Sequence, residues 1–529
     1  MIPGCGTRSR LAVTVLGLAM MLGPITGEAA LSAAQSQGKQ IYLQGTSLNG
    51  GDITAIVGSE GVSLPASAVP CASCHGTDGL GRPEGGVQPP DIRWSELSKI
   101  YGHVHEDGRR HPAFDEMSLA RVLRTGLDPA GNRLDPSMPL YTMSVPEMNS
   151  LVAYLRFLET DWDPGVEKDH IQVATLLPLQ GPQGGLGQAM AQVMHAHFKE
   201  VNKRGGIFGR KLELLAIPYA NSAQGTLDNL RSAFDSEGIF ALVGAYTIGL
   251  DEPILELLRE QGAPLVGPFT LNPGNAFINA DSFYIYPGFT EQARVLVEQA
   301  LKQGTEGEVR LLLSGPEGDH IDQVLSMVQQ QLPETEGTRP ETLRYQQGEM
   351  DAAGLADRIQ QNAADAVLFL GNQAELEALL EALAERSQSP RIYALSALVP
   401  RPLFAAPAVF DQRIFLAYPT LSSDMSAAGR AEYMRLADLH SLPPDHLQGQ
   451  VAALAAAKLL EEGLRGAGRT LNRERLTEAI EALYRYDTGL TSPLTYGPNR
   501  RIGARGAHVM VVDLVKKTNT AVGEWHEVH

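Results

Sequence analysis

The chain has 529 residues, 43% of them hydrophobic, and sets 61 acidic against 43 basic side chains for a formal net charge of −18. So acidic a balance argues against nucleic acid and anionic lipid as partners, and the length suits roughly three domain-sized units with packed cores. No low-complexity tract or short-period repeat interrupts it.

Arg8 and Arg10 precede an apolar run from Leu11 to Gly23, and Gly27 and Ala29 are spaced for cleavage after Ala29. That order is that of a secretory signal peptide. A membrane anchor is the alternative reading, but a hydrocarbon core demands roughly 20 apolar residues and this run is shorter. Residues 1–29 are expected to be removed, which leaves a soluble, exported protein located in the periplasm. Cys5 would leave with them, and Cys71 and Cys74 are then the only cysteines.

These two lie in CASCH, residues 71–75. A zinc site needs four ligands, commonly in two pairs, and no second pair follows. A thioredoxin-like site needs its pair at a helix start behind a strand, in a fold this segment does not resemble. Covalent haem attachment remains: thiols three apart lie on one face of a helical turn, where both can add to the vinyl groups, and His75 is placed to ligate the iron. The stretch HVHEDGRRH, with His103, His105 and His111, reads as a solvated polar loop because its i, i+2, i+8 spacing matches no common metal template.

Further on, Ser144 and Glu147 form an S-x-x-E capping box ahead of a helix with apolar positions Leu151, Val152, Tyr154, Leu155 and Leu158. Met138 stands before Pro139 in the loop that precedes it, and Met143 and Met148 read as packing residues. Residues 38–160 resemble a class I c-type cytochrome, on the opening helix GKQIYLQGT, then CASCHGTDGLGR, then MSLARVLRTGLDPAGNRLDPSMPLY and the closing AYLRFL. The resemblance implies a small all-α domain with one covalent haem c, His75 as proximal ligand and Met138 as distal ligand. It also implies a proline carbonyl, from Pro89 or Pro90, on the free N–H of His75. An insert of about Ser47 to Pro70 departs from the family pattern.

Residues 161–169 read as an acidic Pro-Gly linker. From Ile171, apolar runs of strand length (IQVATLL, KLELLAI, IFALVG, APLVG, VRLLLSG, ADAVLFLG, RIYALS) alternate with amphipathic helical stretches that start near Gly187, Pro253, Asp319 and Ala374. This pattern predicts two successive α/β units, each a parallel sheet covered on both faces. Residues 170 to 525 are similar to the type I periplasmic solute-binding proteins of the branched-chain amino acid class, on LLPLQGPQGGLGQ, FKEVNKRGGIFGRKLELL, ALVGAYTIGLDEP, QGAPLVGP and SPLTYGPNRRIGARGAHVMVVD.

That resemblance implies two doubly wound lobes with a ligand cleft between them, and hinge crossings near Gly288, near Ala417 and within residues 455–495. It implies hydroxyls for a ligand carboxylate at Thr247 and Thr270, an acid or its neighbour at Asp411 and Gln412, and second-lobe contacts from Glu317, Asn372 and Gln373. For each of these side chains a helix cap or solvated loop end is the equal alternative.

The expected activity is electron transfer by a periplasmic mono-haem cytochrome fused to a domain that binds a small molecule. The alternative is the receptor of an ABC importer for an amino acid or other small solute, with an ABC permease as partner and the haem domain as a sensor. Partners would be a periplasmic redox protein, such as an alcohol or aldehyde dehydrogenase or a terminal oxidase, and the cleft ligand. An enzyme is disfavoured: an iron held by His and Met has no open position, and no cluster of nucleophile, base and orienter is visible.

Overall fold

In the computed structural model the chain divides at Asp161/Trp162 into two units. The residues described are 31–528 without 84, 106–107, 272, 274–280, 304–308 and 333–339, so the expected signal peptide lies outside them.

The first unit is built around two helices. Helix α1 (Ala33–Gln44) opens with a capping box between Ser32 and Gln35 and stops at Gly45, which takes the left-handed conformation at φ 64°. Helix α5 (Val145–Leu155) opens with the Ser144/Glu147 box that the sequence announces. They cross at Gly38, where a Cβ would fall 2.0 Å from the Ser150 carbonyl oxygen, so only glycine permits this approach. Next to the crossing, the Tyr42 and Tyr154 rings lie 5.6 Å apart. Helices α2 (Cys71–His75), α3 (Trp94–Leu97) and α4 (Glu116–Thr125) complete the helical set.

The insert adds a sheet to this helical frame. Strands β1 (Thr54–Val57) and β2 (Val62–Pro65) form a hairpin, and the free edge of β1 pairs antiparallel with a later strand, Leu140–Thr142, so that Ala55 faces Tyr141. The HVHEDGRRH stretch is not a free loop: β3 (His103–Val104) pairs with β4 (Arg110–His111), and His111 is buried. The strand Leu140–Thr142 is β5.

The second unit contains the two predicted α/β lobes. In the first, β6 (His170–Leu177), β7 (Lys211–Pro218), β8 (Leu242–Val243), β9 (Leu265–Val266) and β10 (Ser282–Phe283) form a parallel sheet in the order β10-β9-β8-β6-β7. Alternate residues of β6 serve opposite faces. Val173 and Leu177 pack with α6 (Gly184–Lys203), whereas Ala174 and Leu176 pack with α7 (Ala223–Glu237) and α8 (Asp251–Gln261). Such double coverage is why these strands read as unbroken apolar runs.

The second lobe has the order β12-β11-β13-β14-β15-β16-β17, from β11 (Leu311–Pro316), β12 (Glu341–Tyr345), β13 (Ala366–Phe369), β14 (Arg391–Leu395), β15 (Ile414–Tyr418), β16 (Gly506–Asp513) and β17 (Thr518–Ala521). It is parallel as far as β15, and β16 and β17 then add antiparallel. Its helices are α9 (Phe289–Lys302), α10 (Asp319–Gln331), α11 (Ala352–Gln361) and α12 (Gln373–Glu385).

The chain passes between lobes where Gly288 caps α9, and again between β15 and α13 (Ala427–His440), close to the positions expected. The third passage lies later than expected. Helices α14 (Leu447–Ala467) and α15 (Arg473–Glu481) belong to the first lobe's core, together with Leu490, Leu494 and Tyr496. Passage to β16 comes at about 497–505, beside the first crossing, where Tyr284 N–H donates to Arg501 O at 2.8 Å and Gly503 N–H to Tyr284 O at 2.8 Å. The expected linker is also not free chain: Val166 is in the first lobe's core, and the Asp163 carboxylate accepts from Arg473 N–H at 2.6 Å.

Candidate haem and solute sites

CASCH folds as one helical turn begun by Pro70 and ended by Gly76 at φ 74°. Tyr42 of α1 fixes the turn by donating its hydroxyl to Gly76 O at 2.6 Å. Both thiols are free of a disulfide, Cys71 buried and Cys74 exposed. Burial pushes the Cys71 thiol up to about 12, which opposes a redox pair, since reactive cysteines have depressed values.

His75 is 5% exposed, and its Nδ1 lies 3.1 Å from Pro90 O. A carbonyl only accepts, so Nδ1 carries the proton and Nε2 keeps the lone pair, and burial further favours the neutral ring. Of the two prolines considered, Pro90 makes this contact. The Pro89 carbonyl instead faces Gly81, where a Cβ would fall 2.0 Å from its oxygen.

Met138 is half-buried against the unit's core, in a turn where its N–H donates to Asp135 O at 3.0 Å. Pro139 follows, then β5, which β1 of the insert holds in register. Tyr141 of β5 donates its hydroxyl to Val69 O at 2.7 Å, just ahead of the CASCH turn. The insert thus ties the strand behind Met138 to the approach to Cys71. Met143 and Met148 are 9% and 1% exposed in the core, in keeping with packing roles.

The His103, His105 and His111 rings gather with centroids 5.0 to 5.9 Å apart, and the Nε2 atoms of His105 and His111 are 2.9 Å apart. Among the described residues, no group of three or more His, Cys, Asp or Glu is suited to hold a metal ion.

In doubly wound sheets ligands are met at the carboxyl ends of the strands. At that edge of the first lobe, Tyr219 follows β7, Tyr246 and Thr247 follow β8, and Phe269 and Thr270 follow β9. Tyr219 donates its hydroxyl to Tyr246 O, and the Tyr246 and Phe269 rings stack at 5.8 Å. Thr247 and Thr270, the expected carboxylate donors, both give their hydroxyls to Asp251, Thr247 at 2.6 Å. Desolvation raises the Asp251 carboxyl above its ordinary value in spite of these bonds. Sequence reading passed over Asp251, because an acid in the first turn of a helix reads as a dipole partner.

At the second lobe's edge, Glu317 is exposed and accepts from Gln346. Asn372 caps α12 by accepting from Ala374 N–H at 2.9 Å and Glu375 N–H at 3.1 Å. Gln373 donates to Glu377 at 2.6 Å and accepts from Arg401 N–H at 3.1 Å. For Asn372 and Gln373 the capping and bracing role prevails. Tyr345, which donates to Glu375 at 3.1 Å, also stands at this edge and was not foreseen.

Asp411 and Gln412 are a correction. They precede β15 and so lie at the amino end of the sheet, away from the ligand edge. Asp411 accepts from Leu514 N–H at 2.8 Å, and Gln412 holds φ 59° with its N–H on Val512 O. Their role is to join β15 to β16. A cavity of about 240 Å³, lined by Arg485, Arg500, Arg505, Trp525 and Glu527 among others, lies at the third crossing and includes none of the expected ligand residues.

These features define a two-lobed solute-binding fold behind a cytochrome c unit. The sequence matches the family described as periplasmic binding protein over residues 170–519, and the chain belongs to that family. Residues 66–159 match cytochrome c, a domain that implies a covalently bound haem.

Among curated proteins, the Leu/Ile/Val-binding protein BraC3 of Rhizobium johnstonii is 31% identical over 104 residues, 20% of this chain and 28% of the relative. Leu/Ile/Val-binding protein homolog 3 of Brucella melitensis is 25% identical over 145 residues, 27% of this chain and 39% of the relative. The aligned stretches therefore span well under half of these relatives.

Among solved structures, a fatty acid ABC transporter substrate-binding protein from Thermomonospora curvata superposes with a TM-score of 0.50 at 17% identity, covering 70% of this chain and 95% of that one. A substrate-binding periplasmic protein from Ralstonia solanacearum gives 0.50 at 19% identity, covering 67% and 99%. They establish the fold of the second unit. Both matched families are typically periplasmic, and no helix among the described residues is long and apolar enough to cross a membrane.

Proposed function

We propose that the protein is a periplasmic electron carrier with one covalent haem c, attached at Cys71 and Cys74 and ligated by His75 and Met138, joined to a domain that binds a small solute between its lobes. One observation carries the reading: the CASCH turn presents two unpaired thiols, and the Pro90 carbonyl leaves His75 with a single donor nitrogen, Nε2. When bound, the haem supplies a one-electron couple whose potential a thioether ligand raises. The chain's own residues orient the imidazole and, through β1 and β5, hold the segment behind Met138. If His75 and Met138 both held the iron, no position would be left open to substrate, which favours transfer over catalysis.

The redox partner would be a periplasmic alcohol or aldehyde dehydrogenase or a terminal oxidase. A second reading, favoured by relatives named as Leu/Ile/Val-binding proteins and ABC substrate-binding proteins, is the receptor of an importer that docks an ABC permease.

Expression with haem-attachment machinery, followed by pyridine haemochrome and potentiometric titration, tests the haem assignment. Met138→Ala is expected to abolish the weak thioether band of the oxidised protein and lower its potential, while Met143→Ala keeps both. Loss of the band in Met143→Ala instead refutes the ligation. Thermal-shift screening against amino acids, short acids, alcohols and aromatic acids tests the solute domain.

A further inference from the structure

We propose that the corner at the first lobe's strand edge seats the cationic nitrogen of an organic ammonium ligand, with Asp251 as counter-ion and the Tyr219, Tyr246 and Phe269 rings beside it. This rests on the solute-binding reading and names the class of solute. Thr247 and Thr270 were expected to receive a ligand carboxylate, but both hydroxyls are engaged by Asp251, and Thr247 is 2% exposed. A ligand carboxylate placed there would meet a like charge and find its donors occupied.

Three further observations point to a cation. Asp251 is only half-buried, and the groups that bond it, the Thr247 and Thr270 hydroxyls and the Gly249 backbone N–H, are all neutral, so its partners among the described residues bring no full positive charge. Tyr219 and Tyr284 are among the described residues that feel its charge, and Glu252 is its neighbour in sequence; none of these three is basic. The half-buried Tyr219 and Phe269 rings pack on either side of the buried Tyr246, at 6.0 and 5.8 Å, and bring aromatic groups to the same three loops. A carboxylate with neighbouring aromatic rings attracts alkylammonium groups by ion pairing and cation–π attraction. The net charge of −18 draws cations to the protein from a distance.

The test uses the full haem-loaded chain and matched probes that differ in one group: isopentylamine, isopentanol and 4-methylpentanoate, a benzylamine, benzyl alcohol and benzoate set, and L-leucine. At least one amine should raise the melting temperature by several degrees and give a calorimetric isotherm, while its matched carboxylate does neither. Asp251→Asn, nearly isosteric and checked for an unchanged circular dichroism spectrum, should weaken that amine at least tenfold. Amine affinity should also fall as pH drops and Asp251 takes up a proton. Binding of a carboxylate or of L-leucine without any amine overturns this inference and leaves the solute-binding reading standing. Stronger amine binding to Asp251→Asn also overturns it. Silence from every probe, together with silence in the broader solute screen, removes both.

Discussion

His75 in the first unit and Asp251 in the second are both titratable groups withdrawn from water, and their surroundings treat them in opposite ways. Burial lowers the His75 value, and the Pro90 carbonyl then leaves one nitrogen as a neutral donor. Burial raises the Asp251 value, and two hydroxyls partly restore the charge. The first arrangement suits a permanent metal–ligand bond, which tolerates no competing proton. The second suits a reversible partner that brings its own charge. Permanence also explains the layouts: a covalent tether needs its groups on one turn, whereas the Asp251 corner draws on loops behind β7, β8 and β9.

That contrast can be broken or sharpened by experiment. The largest effect is expected from replacing both Cys71 and Cys74 with Ala, which should remove all covalent haem, read as loss of peroxidase staining on a denaturing gel, and leave the solute domain's melting unchanged. Met148→Ala should follow, because deletion of a fully buried methionine costs about 2–5 kcal/mol, measured by urea denaturation of the first unit. Gly38→Ala drives a Cβ into the Ser150 carbonyl and should cost about 1–3 kcal/mol in the same assay, with the haem spectrum retained.

Asp411→Ala removes one hydrogen bond to Leu514 N–H and should cost about 1 kcal/mol without altering solute binding. A change in affinity would return Asp411 to the ligand edge.

The mildest test is the pH dependence of Asp251. A folded-state value raised above 3.8 means that stability present at low pH is lost as pH climbs through the raised value. Asp251→Asn escapes that loss, so its melting temperature relative to the parent should increase with pH. A difference that shrinks as pH rises would show that Asp251 is not destabilised by charging.

The haem motif was legible because its chemistry is local: Cys71, Cys74 and His75 are neighbours in sequence and on one helical turn. The central strands β6, β8, β9, β11, β13 and β14 were legible because cover on both faces leaves them apolar, and the helices near Asp319 and Ala374 by their amphipathic pattern, whereas the half-exposed edge strand β12, ETLRY, carries no such run. Choices that depend on distant chain were not. Pro90 is distinguished from Pro89 by the approach of Gly81, the insert becomes meaningful only when β1 meets β5, and the third crossing is displaced because α14 and α15 are drawn into the first lobe's core.

The sequence alone therefore determined the C-x-x-C-H turn and the two-unit architecture, with the haem tether and the export signal as expectations, since each is encoded in spacing or periodicity within a short window. Tertiary structure decided which polar groups remain available to a ligand. Thr247 and Thr270 read as free hydroxyls until Asp251 is seen to accept from both, and Asp411 reads as a ligand acid until β15 is seen to place it at the amino edge. Hydrogen-bond capacity is finite and spatial, so only the folded chain shows which donors are already engaged.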